Sequence, residues 1–289
     1  MTYSIVARDP VTGEIGVGVQ THQPAVGAVV PWVKSGVGAV ATQSFSNVDF
    51  GPDGLALLAN GRTAEQTLAA LLATDEGRER RQVAVIAREG SPAAFTGSQC
   101  LAHAGQQIGE HHSAQANMML NDTVPAAMAS AFEACEGPLA VRILRVLEAA
   151  QAEGGDMRGM QSAAILVRYP GTALIPIWDL RVDNSAAPLA DLRRLVEIRQ
   201  ADVALHPGWP GSGPQSLPEF RAALDAAKAF SPTDEQVLWF GLEMAKVERG
   251  APEAAALLRP ILARHAGWWL LLERAGVPAE FIGALRATT

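Results

Sequence analysis

The chain has 289 residues, 48% of them apolar, and its 23 Lys and Arg against 30 Asp and Glu give a formal net charge of -7. That length suits one large domain or a domain with an appendage, and the composition supports a sizeable core. The acidic balance excludes general nucleic-acid binding, because no basic surplus exists to neutralise phosphates.

The first segment reads as a hairpin. Tyr3, Ile5 and Ala7 alternate with Ser4 and Val6, and "DPVTG" supplies Pro10 and Gly13 for a turn. Beyond the turn Ile15, Val17 and Val19 share one face, while Gly16, Gly18 and Gln20 share the other. Two glycines in a strand suggest close approach of another backbone or a ligand. "GAVVPW", a turn around Lys34 to Gly36 and "VGAVATQ" form a second hairpin. The G-x-G-x-x-A pattern within Gly36 to Ala41 sits inside a strand with no helix after it, so it is not read as a dinucleotide-binding turn.

Helical signals follow. Asp53 is placed to cap "GLALLANG", and Thr63 with Gln66 forms a capping-box pattern before "TLAALLA". "QVAVIA" and "AAFTG" restore strand character, and Thr123 to Glu153 is helical with a break near Gly137-Pro138. "QSAAILVRY" and "ALIPIWDLRV" are strands, followed by a helix through "LADLRRLVEIRQADVAL". Strands thus come in hairpin pairs around a block of helices. This ordering predicts an α+β fold of stacked antiparallel sheets covered by helices, rather than a doubly wound parallel sheet.

"HPGWPGSGPQSLPEF", with four prolines and three glycines, reads as a linker. The expected organisation is a main domain over 1–205, a linker over 206–218 and an all-helical extension over 219–289. Small residues at close intervals and Pro252 at a helix start make this extension resemble a degenerate tetratricopeptide unit. Trp239, Trp268 and Trp269 are expected to pack in its core.

Several chemistries find no support. Cys100 and Cys135 belong to no C-x-x-C pair and read as small buried hydrophobes. His103, His111 and His112 lack metal-ligand spacing and read as polar loop histidines, so no metal and no organic cofactor is expected. There is no G-x-S-x-G elbow and no P-loop. With no basic n-region before a long apolar run, and no run near the roughly 18 apolar residues of a membrane span, the expectation is a cytoplasmic protein.

Thr2 is the sharpest candidate. Were Met1 removed, the chain would begin with threonine, and an α-amine of pKa about 8 could take the proton of its own hydroxyl. Gln43 and Asn117 are amides suited to positioning or oxyanion contact, and Asn47 ends the same segment as Gln43. "AEGGDMRGMQSAAILV" places Asp156 and Arg158 in a tight loop leading into a strand, where binding groups are commonly mounted. The two could equally pair with each other.

Taken in order, "TYSIVARDPVTGEIGVGVQ", "GAVVPWVKSGVGAVATQ", "GPDGLALLANG", "RQVAVIAREG", "AAFTGSQC" and "GGDMRGMQSAAILV" resemble a bacterial and archaeal family of domains of unknown function within the N-terminal-nucleophile (Ntn) hydrolase superfamily. The resemblance runs from Thr2 to about Leu195. It implies a four-layer αββα sandwich and, from the superfamily, amide hydrolysis by an N-terminal Thr, Ser or Cys. Thr2 would take that position, with backbone N–H groups of the loop after "VATQ" as oxyanion donors. Asp156, Arg158, Gln161 and Ser162 match the family's pattern, whereas its usual Q-G-N reads Gln115-Ala116-Asn117 and a common G-R-Q reads Gly159-Met160-Gln161. A lysine found on the third strand of the proteasome-like branch has no counterpart in "GAVVPW".

The resulting expectation is an amidohydrolase for a small molecule or short peptide, working as a homo-oligomer without nucleic-acid or membrane partners. Thr2, Gln43 and Asn117 would be catalytic. Gln20, Thr42 and Asn47, with Asp156, Arg158, Gln161 and Ser162, would bind substrate. Two rivals stand beside it: a ligand-binding protein that kept the fold without catalysis, and an assembly protein that uses its helical tail.

Overall fold

The computed structural model describes residues 2–170, 178–207 and 213–287. The chain divides into two compact units, Met1–Val196 and Glu197–Thr289.

In the first unit, β1 (Thr2–Arg8) and β2 (Ile15–Thr21) form the expected hairpin, closed by a turn in which Gly13 donates to the Asp9 carbonyl. Strands β3 (Pro31–Lys34) and β4 (Gly38–Ser44) follow, then helices α1 (Phe50–Ala59) and α2 (Ala64–Ala73). Next come β5 (Arg81–Ala87), β6 (Ala93–Thr96), β7 (Gly105–Ile108) and β8 (His112–Asn117), helices α3 (Val124–Ala134) and α4 (Leu139–Ala152), and strands β9 (Ser162–Arg168) and β10 (Trp178–Val182). One antiparallel sheet has the order β10-β9-β2-β1-β8-β7, and a second has the order β3-β4-β5-β6.

The two sheets stack, and each carries a helix pair on its outer face. Val6, Val17, Val19, Ala41, Ala84, Ile86 and Leu166 fill the layer between the sheets. Tyr3, Ile5, Ala114 and Ile165 pack on α3 and α4, while Val40, Val83 and Val85 pack on α1 and α2. Every residue of β1 and β2 is therefore buried on whichever face it lies. This is why both strands read as nearly continuous apolar text rather than as a polar–apolar alternation. The architecture is the four-layer αββα sandwich of an α+β protein, as expected.

Gly16 and Gly18 lie on the α4 side of β2. A Cβ on Gly18 would stand 2.2 Å from Ile143 Cγ2, so the missing side chain admits α4 rather than a ligand. Thr63 and Gln66 form the capping box expected at the start of α2, with both reciprocal hydrogen bonds present.

Three local expectations are corrected. "GAVVPW" is not a strand throughout: Val26–Ala28 is a 3-10 turn, and extended pairing begins only at Pro31. Asp53 is not a cap, because α1 begins at Phe50 and Asp53 sits within its first turn. His112 is no loop histidine but the buried first residue of β8, packed against Phe132 with ring centroids 4.7 Å apart and the planes tilted by 45°. The first part of "ALIPIWDLRV" lies outside the described residues, and its remainder is β10.

Helix α5 (Pro188–Leu205) carries the chain from the first unit into the second. The second unit is helical: α6 (Leu217–Ala227), α7 (Asp234–Met244), α8 (Ala251–Leu262), α9 (Gly267–Arg274) and α10 (Ala279–Arg286). Leu238, Leu258, Leu272 and Leu285 centre its core, with Trp268 and Trp269 packed against it, whereas Trp239 is exposed. Of the expected linker, residues 208–212 lie outside the described residues. Among the described residues no helix is long and apolar enough to cross a membrane.

Candidate active site

The layer between the sheets changes character along its length. At one end it is aliphatic; at the other it holds Ser4, Gln43, Gln82, Ser113, Gln115, Asn117 and Ser162, all essentially inaccessible. Strand alternation explains the composition. Thr2 and Ser4 share the inward face of β1 with Val6, and Gln43 shares that of β4 with Ala41. Thr2 heads β1 at this polar end, opposite Thr21 on one side and Asn117 on the other.

Most of these polar groups satisfy one another, although Gln43 Oε1 is buried without a hydrogen-bond partner among the described residues. The Thr2 hydroxyl donates to Thr21 Oγ1 at 3.1 Å. The Thr2 carbonyl accepts from Asn117 Nδ2 at 3.2 Å and from Gln43 Nε2 at 3.3 Å. Each of those amides also donates to Gln82 Oε1, Asn117 at 2.9 Å and Gln43 at 2.7 Å. An amide nitrogen carries two hydrogens. Both hydrogens of Asn117 Nδ2 are therefore committed to the Thr2 carbonyl and to Gln82, and Gln43 Nε2 is similarly engaged. This arrangement holds the Thr2 backbone rather than leaving donors free for an oxyanion. Gln115 completes the layer, donating to Ser4 Oγ at 2.6 Å and accepting from Ser113 Oγ at 3.1 Å.

The glycine-rich loop after α4 crosses the same end of the sheet. The Leu120 N–H, beyond β8, donates to the Gly155 carbonyl, and the Gln161 N–H donates to the Thr21 carbonyl at 2.9 Å. The loop thus spans from the end of β8 to the end of β2, with the start of β1 between them. Gly155 and Gly159 adopt φ of 58° and 95°, which favours glycine at both turning points. Asp156 is fully buried and forked by Arg158 at 2.7 and 3.1 Å, and it also accepts the His22 backbone N–H at 3.2 Å. Burial, then the charges of Asp156 and Glu148, push the Tyr3 phenol well above its ordinary pKa. It stays neutral and hydrogen-bonds Gln151 Oε1 at 3.2 Å.

The structure therefore brings together Thr2, Gln43 and Asn117, with Ser162 on the same inward face of β9. The Ser162 hydroxyl donates to the Gln23 carbonyl and accepts from the Val26 N–H. Asp156 and Arg158 stand beside the sheet end, paired with each other. Gln161 joins that end through its backbone, while its side-chain amide donates to Asn184 at 3.0 Å. Gln20 and Thr42 point the other way, toward the helical layers: Gln20 shares the α4 face with Gly18, and Thr42 shares the α1 face with Val40. Thr42 Oγ1 donates to the Asn47 carbonyl at 3.0 Å, fixing the loop in which Asn47 lies.

Sequence reasoning missed Thr21 and Gln82. Counting back from the turn across the first hairpin pairs Thr21 with Thr2, so that signal was present. Gln82 reads as an ordinary polar strand start. Lys34 ends β3 opposite Gly38 rather than lying in the turn. Gly38 is five residues from Gln43, roughly 17 Å along the strand. Among the described residues no group of three or more His, Cys, Asp or Glu side chains is placed to hold a metal ion.

A comparison with curated proteins finds no match. Among solved structures, Anbu (ancestral beta-subunit) from Yersinia bercovieri is 9% identical, with a TM-score of 0.34 over 67% of this chain and 92% of that one. Thiobacillus denitrificans BPH in complex with epoxomicin is 15% identical, with a TM-score of 0.32 over 59% of this chain and 100% of that one. Protein SPO2555 from Silicibacter pomeroyi is nearer, at 33% identity and a TM-score of 0.63 over 68% of this chain and 84% of that one. Its crystal structure is described under the family model DUF1028. That same model, "Family of unknown function (DUF1028)", matches residues 2–192 here, and the chain belongs to this family.

Proposed function

We propose that the protein is an Ntn-type amidohydrolase acting on a small molecule or short peptide through Thr2. One observation carries the reading: at the head of a central strand, the Thr2 carbonyl is clamped by two buried amides while its hydroxyl is hydrogen-bonded to Thr21. A nucleophile gains from such fixing, because alignment of reacting atoms is a large part of catalysis.

The chemistry begins with hydrolysis of the Met1–Thr2 peptide bond, which frees the α-amine. The amine takes the Oγ1 proton as the oxygen attacks the substrate carbonyl. Collapse of the tetrahedral intermediate breaks the C–N bond, and the departing amine takes the proton from the α-ammonium. Water, deprotonated by the same amine, then attacks the acyl-threonine ester; the acyl–Oγ1 bond breaks, Oγ1 takes the proton back from the α-ammonium, and the carboxylic acid is released. Gln43 and Asn117 position Thr2, while Asp156 and Arg158 support the loop that frames it and ends at Gln161, the element offered for substrate recognition.

Intact-mass measurement tests the first requirement, a chain beginning at Thr2. Incubation with p-nitrophenyl acetate should then release p-nitrophenolate and leave one hydroxylamine-labile acetyl group on the Thr2 peptide, and Thr2→Ala should abolish both. Equal labelling of Thr2→Ala would reject the mechanism.

A second reading, a ligand-binding protein without turnover, is favoured by one feature. Among the described residues the partner of the Thr2 hydroxyl is another hydroxyl, and Lys34 is remote. Met1 retained in protein from the native host would select this reading.

A further inference from the structure

We propose that Gln82 is the positioning residue of this site, locking the amides of Gln43 and Asn117 onto the Thr2 carbonyl. The inference rests on Thr2 being the nucleophile.

Gln82 is the second residue of β5, in the four-stranded sheet, and is completely buried. Its Oε1 reaches across the layer and accepts from Asn117 Nδ2 of the other sheet at 2.9 Å, and from Gln43 Nε2 of its own sheet at 2.7 Å. Its Nε2 donates to Thr96 Oγ1 at 2.8 Å and to the Ala116 carbonyl at 2.8 Å, with the Gly105 carbonyl at 3.1 Å. The surroundings dictate which way this amide faces. Turned over, its NH2 would oppose the NH2 groups of Gln43 and Asn117, and its oxygen would oppose two carbonyl oxygens. One side chain thus ties β4, β5, β6, β7 and β8 together at the point where β1 begins.

The consequence falls on Thr2. Strand ends fray unless tied down, and release of Met1 would leave Thr2 as the chain terminus. The clamp on its carbonyl comes from Gln43 and Asn117, and Gln82 supplies a second acceptor to each. Without that acceptor, Asn117 retains an unsatisfied hydrogen in a buried layer and turns to find another partner, while Gln43 loses its shortest contact and falls back on the Gln115 carbonyl at 3.4 Å. The Thr2 carbonyl then loses its fixed Asn117 donor and keeps a less firmly held Gln43. A displacement of about 1 Å in a reacting group can cost on the order of 100-fold in rate. Gln82 touches no reacting atom; it acts through the two amides.

The test compares wild type, Gln82→Leu and Gln82→Glu, each confirmed by intact mass to begin at Thr2. The readout is the rate of Thr2 acetylation by p-nitrophenyl acetate, followed from about pH 5.5 to about pH 8.5, around the ordinary α-amine value. Gln82→Leu removes the acceptor and should slow acetylation by ~10- to 100-fold at every pH. Gln82→Glu separates positioning from bulk packing. A protonated Glu side chain retains both a carbonyl acceptor and an O–H donor, whereas the ionised form sets a negative charge against the Ala116 and Gly105 carbonyls. Burial raises the pKa of such a carboxyl group. The rate of Gln82→Glu relative to wild type should therefore be highest at the acid end and fall by ~10-fold or more as the pH rises.

Two outcomes overturn the inference while leaving the nucleophile standing. One is wild-type acetylation of Thr2 in the folded variants at all pH values. The other is a Gln82→Glu rate that is low and runs parallel to wild type, which marks a merely structural residue. Should Gln82→Leu fail to fold, the Gln82→Glu profile decides alone. If wild type itself is not acetylated on Thr2, the nucleophile reading has failed and Gln82 has nothing to position.

Discussion

Thr2 Oγ1 donates to Thr21 Oγ1 at 3.1 Å, its opposite number in the first hairpin. The contact fixes the direction of the Thr2 hydroxyl, and the pair lies at the polar end of the layer between the sheets. Thr21→Val keeps the side-chain shape and removes the acceptor. A single neutral hydrogen bond contributes about 0.5–1.5 kcal/mol. Acetylation of Thr2 should accordingly slow by ~2- to 10-fold, Thr21→Ser should keep most of the wild-type rate, and the thermal midpoint should move little in either.

The contact between β2 and α4 leaves no room for a side chain at Gly18. Gly18→Ala should destabilise the fold by about 1–3 kcal/mol, as overpacking of a close contact does, measurable as a lower midpoint in urea. Ile143→Ala removes the atom that the new methyl meets. The double variant should therefore be less destabilised than the sum of the two singles, a coupling that a double-mutant cycle reads directly. Strict additivity would mean that α4 moves aside without resistance.

Asp156 and Arg158 are unequal partners. The Asp156 side chain is fully buried, while the Arg158 side chain keeps 22% of its surface exposed. Removing the guanidinium strands a buried charge; neutralising the carboxylate leaves a cation that reaches water. Arg158→Ala should accordingly cost about 3 kcal/mol and Asp156→Asn only about 1–2 kcal/mol. Thermal unfolding of both variants checks the order, and a reversal would show that the loop relies on Asp156 for more than this pairing.

His112 gives the fold a pH dependence of definite sign. Burial pushes its pKa down; Glu133 at 4.0 Å opposes this, while Arg142 and His111 add to it. The neutral ring is thus favoured in the fold, and the unfolded chain takes up the proton first as pH falls. Its stabilising contribution is complete above the unfolded value of about 6.5 and declines as pH drops toward the lower folded value. The slope is at most about 1.4 kcal/mol per pH unit, that of one proton. Stability curves of wild type and His112→Phe between about pH 7 and pH 5 should converge or cross with that sign. Parallel curves would show that His112 does not titrate differently on folding.

Much of this architecture is legible in the text of the chain. Turn residues at Pro10 and Gly13 announce the first hairpin, the Thr63–Gln66 pair announces α2, and paired strands around a helical block announce the stacked sheets. These are local signals, set by backbone preference and short-range hydrogen bonds. Thr2 at the head of a strand belongs to the same class.

Which face of each strand looks inward is settled by packing between the layers. Both faces of β1, β2 and β4 are buried, one on a sheet and the other on helices, so hydrophobicity cannot tell them apart. Gln20 and Gln43 look alike as amides near strand ends, yet one faces α4 and the other reaches Thr2. The role of Gln82 was equally hidden, because its partners come from β4 and β8, and register between distant strands is set by packing. Local patterns along the chain specify the layers and the strand that Thr2 begins. Only the folded contacts decided which buried amides hold that threonine in place.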